Sequence, residues 1–279
     1  MFSQRDKDML KTLAKKQLEI ANSPVNLERI NLWKKHNNFN GERPMVHIEV
    51  DTFAKEIIMP RLQCENPIAR QIEYSLYHNF TNMELLNDDK VVPPYFPVKW
   101  QTDFRLFGYK IEKTMSIDTK GNSVGHSFNH VISDLQNDFH LLHKTEYEVN
   151  KTGTKEYASF AEDVIGVILP VKMTMDCLYA VPTQKIVHLM GMEQMYLAMY
   201  DCPDLFMQIM NRTADDYISY FKMLEQEDCL LPTTGFESLG QGSFCFSDEL
   251  PDHGKLTTND VWGFMDSQET VGISPEMFA

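Results

Sequence analysis

Two residues of the segment 44–50, which reads PMVHIEV, carry groups that exchange protons near neutral pH: His47 and Glu49. An imidazole titrates at about 6.5 and a glutamate carboxyl at about 4.3, so such a pair can pass a proton or hold a polar ligand. They stand two positions apart, which puts both on one side of an extended chain, and the β-branched Val46, Ile48 and Val50 predict a strand there. His47 and Glu49 are therefore the catalytic candidates. The alternative is a mutually hydrogen-bonded pair with a structural purpose, because polar groups that face inward must be paired or hydrated. Three further predicted strand ends or loops offer substrate-binding groups. Tyr95 could donate to a carboxylate or oxyanion, or pack as an amphipathic ring. Asp176 and Tyr179 follow a third strand and could reach the same mouth, or belong to a surface loop. Asp248 lies in an acidic turn, where it could bind a polar substrate or cap the turn.

Metal chemistry finds little support in the spacing. The five cysteines, Cys64, Cys177, Cys202, Cys229 and Cys245, form no CxxC pair, and no His-x-Cys occurs. His126, His130, His140 and His143 share one region, but ligation would need them to converge with carboxylates such as Asp134. No metal site is assigned, and no cofactor is evident within this chain. The methionines at 192, 195 and 199 recur at helical intervals, as core-filling residues do. Phosphate-loop, Rossmann, zincin and hydrolase-elbow motifs are missing, and GFESLGQG over 235–242 reads as turn-forming backbone.

Across 279 residues, 40 acidic side chains against 26 basic ones leave a formal net charge of −14. That balance argues against a nucleic-acid partner, which requires clustered Lys and Arg. The charged N-terminus lacks the apolar core of a signal peptide, and no apolar run is long enough to span a bilayer. A cytoplasmic protein without a membrane partner is expected.

These residues must be positioned by alternating elements. Helical spacing predicts helices over 4–21 and 25–35, then from Asn66-Pro67 to about Leu86, where Asp88-Asp89 ends the helix. Further helices are predicted over 154–163, 183–188, 192–200 and 203–226. Strands are expected at 44–50, 91–98, 165–173, and near Thr233 and Val261. Residues 101–151 read as an excursion from the main fold. Strand–helix alternation implies parallel strands joined by crossover helices, with a helical extension over 1–43 and a main α/β domain over 44–279.

Four blocks carry a family resemblance. MEQMYLAMYDCPDLFMQIM (192–210), TVGISPEMF (270–278), ERPMVHIE (42–49) and SDELP (247–251) resemble elements of the uroporphyrinogen decarboxylase-like superfamily, nearest its methyltransferase-like and uncharacterised bacterial branch. The resemblance implies a (β/α)₈ TIM-type barrel with its site at the carboxyl ends of the strands. It also implies that the loop carrying Asp266 and Gln268 faces the pocket. About five strands are counted where a closed barrel needs eight. The expectation is an incomplete barrel, finished by a missing part, a second copy or another chain. Corrinoid-linked methyl transfer, with a small-molecule or corrinoid-protein substrate, follows from the resemblance, and zinc or corrinoid would come only with the missing part. A cofactor-free tetrapyrrole decarboxylase is the alternative, and would require Arg43, Arg61 and Arg105 to converge on one pocket. A non-catalytic binding or assembly subunit, oligomeric through exposed sheet edges, is the third.

Overall fold

The computed structural model describes residues 3–119, 123–274 and 276. It is mixed helix and sheet, and the chain divides into two units. The first comprises Met1–Gln101, Asn150–Leu178 and Asp228–Gly263; the second comprises Thr102–Val149, Tyr179–Glu227 and Phe264–Ala279. The helical preface 1–43 falls inside the first unit, while 102–149 belongs to the second.

In the first unit, helix Gln4–Ala21 begins where the Ser3 hydroxyl accepts the Asp6 N–H at 3.0 Å. Its Leu10, Leu13, Ala14 and Ala21 form one face, buried with Ala69, Ile72, Leu76 and Phe80 of helix Pro67–Thr81. Asn66 caps the second helix by accepting the N–H groups of Ile68 and Ala69 at 2.9 and 3.2 Å, and Pro67 sits where no donor is needed. Over Asn82–Leu86 the ladder widens into a π-helical turn. It stops at Asn87, whose φ of 52° is left-handed.

The strand expected over 44–50 is not formed. Residues 44–49 are extended but join no sheet; their backbone is held instead by two adjacent carboxylates. Asp88 Oδ2 accepts the Ile48 N–H at 2.7 Å, Asp89 Oδ2 accepts the Val46 N–H at 2.8 Å, and the Asp89 N–H donates to the Val46 carbonyl at 2.7 Å. Asn82 Nδ2 donates to Asp88 Oδ2 and to the Ile48 carbonyl, each at 2.7 Å. The Arg43 guanidinium grips both Asp89 oxygens at 2.7 and 2.6 Å. These side chains satisfy the donors that a neighbouring strand would otherwise meet.

The expected strand 91–98 divides for a related reason. Pro93 and Pro94 have no N–H for a ladder, and this stretch is held by side-chain amides of helix Gln4–Ala21 and of helix Pro24–Asn37. Gln17 Nε2 donates to the carbonyls of Pro93 and Tyr95 at 3.0 and 2.9 Å. Asn26 bonds both backbone groups of Val92, at 3.0 and 2.8 Å. Only Phe96–Lys99 is strand, and it pairs in parallel with Val171–Thr174, with helix Lys151–Ile165 leading into the second strand. That pair is a crossover of the expected kind. The strand expected over 165–173 shrinks to Val171–Thr174, because the helix runs on to Ile165 and a turn follows. Near 233 the chain makes instead an antiparallel pair, Ser238–Gly240 with Ser243–Phe244. Every sheet among the described residues is two-stranded, and none closes into a barrel. A barrel interior requires a continuous ladder, which the carboxylate and amide clamps here replace.

The second unit follows the helical reading closely. Helices Pro182–Met190, Met192–Asp201 and Pro203–Gln226 bury Ile186, Leu189, Met190, Met195, Ala198, Phe206 and Ile209 with Leu106, Phe107, Ile132 and Leu135. Met195 is fully buried, in a packing role. Of the block 270–278, Pro275, Met277 and Phe278 lie outside the described residues.

Replacing Asp88 by alanine strips an acceptor from the Ile48 and Lys90 N–H groups and from the Asn82 amide. Stability is expected to fall by about 3 kcal/mol, the scale of a few unsatisfied polar groups. Urea denaturation of Asp88→Ala checks this. Asp248→Ala, which removes only a surface ion pair with Lys34, should leave the midpoint unchanged.

Candidate functional site

A cleft of about 560 Å³ opens within the first unit, a size typical of small-molecule sites. Three backbone features build it. The clamped segment brings His47 and Glu49 to its wall, and the following turn Val50–Phe53 adds Asp51. Helix Pro67–Thr81 contributes Gln71, Tyr74, Ser75 and His78, spaced i, i+3, i+4, i+7, from the face opposite its buried Ile72 and Phe80. The stretch after Asp89 supplies Lys90, Tyr95 and Lys99, and Asp176 and Glu237 complete the polar lining.

Each group is fixed by a specific neighbour. His47 lies 2.6 Å through Nδ1 from the Gly242 carbonyl and stacks on Phe244 with ring centres 5.3 Å apart. Gly242 has a φ of +76°, a backbone conformation that glycine adopts without strain, and the turn it makes places its carbonyl against the His47 ring. Burial lowers the His47 pKa, with Lys90 pushing the same way and the Gly242 carbonyl opposing. His78 Nε2 meets Asp51 Oδ2 at 3.3 Å, and the Tyr74 hydroxyl donates to Asp51 Oδ1 at 3.4 Å. Burial, reinforced by Lys90, pushes the His78 imidazole down to about 4.

Lys90 is buried, and its Nζ donates to the His78 carbonyl at 2.7 Å, beside the transition into the π-helical turn. Burial lowers its pKa to about 8 even though Asp88 and Asp51 pull it upward; Lys99 adds to the lowering. Desolvation of the ammonium therefore outweighs the nearby carboxylates. Across the cleft the Tyr95 hydroxyl donates to Glu237 Oε1 at 3.4 Å; burial and then that carboxylate drive its pKa upward, so it stays protonated. Lys99 pairs with Asp176 at 2.7 Å, and Asp176 also accepts the Ser238 N–H at 3.1 Å. Thr174 lines the cleft, and its buried hydroxyl oxygen has no partner among the described residues.

Of the candidates from the sequence, His47, Glu49, Tyr95 and Asp176 share this cleft. Asp248 sits on the surface of the same unit, 2.9 Å from Lys34 Nζ. Tyr179, Asp266 and Gln268 belong to the second unit. There Tyr179 stacks on Phe264 at 5.1 Å, and Asp266 accepts the Gln268 N–H at 2.9 Å in a local turn. Asp51, His78, Lys90, Lys99 and Glu237 were not singled out from sequence. The stripe 71, 74, 75, 78 on a helix with an apolar opposite face was a readable signal; for Lys90 there was none. Among the described residues no three His, Cys, Asp or Glu side chains group to hold a metal ion, and no helix is long and apolar enough to cross a membrane. No family model matches this chain, and no curated protein or solved structure matches it either.

The depressed His78 pKa has a stability consequence of definite sign. Between about pH 6.5 and 4 the unfolded chain binds a proton at His78 that the folded chain refuses, so stability falls as pH falls through that window. NMR titration should find His78 changing charge near pH 4, and Lys90→Met should move that titration upward by removing a neighbouring positive charge.

Proposed function

We propose that the first unit binds a small polar molecule in this cleft and moves protons on it, as a uroporphyrinogen decarboxylase-like protein of the methyltransferase-like or uncharacterised branch. The observation that carries the reading is that His47, Glu49, Asp51, His78 and Lys90 line one cleft, with the Lys90 pKa lowered by burial to about 8. Strongly perturbed groups gathered in a cleft are the physical mark of a reactive site. The parallel crossover of Phe96–Lys99 and Val171–Thr174 supports relating this unit to a partial barrel.

The charge inventory bears on the substrate class. Glu49, Asp51, Asp176 and Glu237 line the cleft against Lys90 and Lys99, a balance that suits a hydroxyl- or carbonyl-bearing molecule with one carboxylate at most. A tetrapyrrole with many acetate groups needs more cations. Arg43 and Arg61 are engaged by Asp89 and Glu84, and neither lines the cleft. Arg105 lies in the second unit, paired with Asp103 and Glu146. This weighs against the arginine-dependent decarboxylase reading. Corrinoid-linked methyl transfer remains part of the proposal only with zinc and corrinoid that come with the missing part of the barrel, whether from a longer chain or from a partner.

The test is an NMR screen of small hydroxy and oxo acids. A binder is expected to shift the His47 and His78 signals, and Lys99→Ala should weaken it about tenfold, the scale of one charge-assisted hydrogen bond. Binders that perturb only second-unit residues, or none that perturb the cleft, would overturn the reading.

A further inference from the structure

We propose that Lys90 is an amine nucleophile that condenses reversibly with the carbonyl carbon of a small aldehyde or oxo acid held in the cleft. This deepens the reading above and rests on it. The geometry starts at the backbone. The Lys90 N–H donates to Asp88 Oδ1 at 3.1 Å, and Asp89 is tied to Val46, so the residue is set in the cleft wall by the same clamp that presents His47 and Glu49. Its aliphatic stem is buried, the whole residue being 7 % exposed. Among the described residues Nζ has one hydrogen-bond partner, the His78 carbonyl, and no carboxylate within ion-pair distance. A carbonyl acceptor can be served by a neutral amine as well as by an ammonium, whereas a carboxylate would hold the nitrogen charged and unreactive. Lys99 shows the contrast: its Nζ is paired with Asp176.

The groups that face Lys90 set its reactivity. Asp88 and Asp51 favour the ammonium, Lys99 disfavours it, and burial decides the outcome at about 8. His47 and His78 are each held low in part by the same amine, which keeps their imidazoles able to accept a proton. In the step itself the nitrogen lone pair forms a C–N bond while the carbonyl π electrons move onto oxygen. That oxygen takes a proton, the nitrogen gives one up, and a carbinolamine results. Loss of the hydroxyl with a second proton releases water and leaves the imine. Both amine hydrogens thus depart in the water, and no oxidant or reductant is consumed. His47 and Glu49 line the same cleft and carry protons between nitrogen and oxygen. The buried Thr174 hydroxyl, unpartnered among the described residues, is a ready hydrogen-bond group for a ligand in this cleft.

The test is reductive trapping with glyoxylate or pyruvate and cyanoborohydride, followed by peptide mapping of the wild-type chain. One adduct is expected, on Lys90. At pH 8 its rate should exceed that of exposed lysines by on the order of a hundredfold, because a lysine of pKa about 8 is half neutral there and one of about 10.4 is almost wholly charged. The labelling rate should level off above pH 8. Lys90→Met, which keeps the buried stem, should lose the adduct, while the surface variant Lys255→Gln should keep it. Adducts spread over exposed lysines, or confined to a residue other than Lys90, would overturn the proposal whether or not Lys90→Met folds. If the same acids shift His47 and His78 without trapping, the nucleophile is wrong and the cleft reading stands. If they do neither, both fail.

Discussion

The site in the first unit depends on a single clamp, the adjacent carboxylates of Asp88 and Asp89. Both residues are buried, at 8 and 6 % exposure, and a buried charge is tolerated only when donors surround it. Here the donors are backbone N–H groups at 46, 48 and 90, the Asn82 amide and the Arg43 guanidinium. Because the clamp bonds residues 46 and 48, it sets the register of an extended segment whose side chains alternate. A slip of one position would carry His47 and Glu49 away from the cleft and bring Val46 and Ile48 in. The clamp therefore does for chemistry what strand pairing does in a sheet.

The same clamp explains the electrostatics. Holding residue 90 in the wall removes its side chain from water, and the resulting desolvation exceeds the pull of the carboxylates around it. The lysine in turn helps keep His47 and His78 neutral. The cleft's ionisable groups thus differ in exposure: Glu49 and Asp51 are exposed, whereas Lys90 is buried.

The blocks that carry the family resemblance and the residues that build the cleft overlap only at 42–49. The helix–turn–helix of 192–210 is formed, but in the second unit, where its side chains pack a separate core. The proposed chemistry rests on the cleft itself, where Lys90 and His78 lie outside every such block.

Helices were legible from the chain alone because their information is local. Ser3 and Asn66 caps, Pro67 and Pro203 at first positions and apolar spacing on Gln4–Ala21 and Pro203–Gln226 each act within a few residues. The extended segments were not. PMVHIEV has the composition of a strand, and nothing within it says that its partners are carboxylates some forty residues later. His47, Glu49, Tyr95 and Asp176 could be singled out by residue type and position, whereas Lys90 looks like any lysine until its surroundings exist. Sequence by itself determined where the chain coils and which face of each helix seeks the core. Tertiary structure alone decided the register of 44–49 and the charge state of the cleft, because both arise from contacts and desolvation that no short stretch of chain contains.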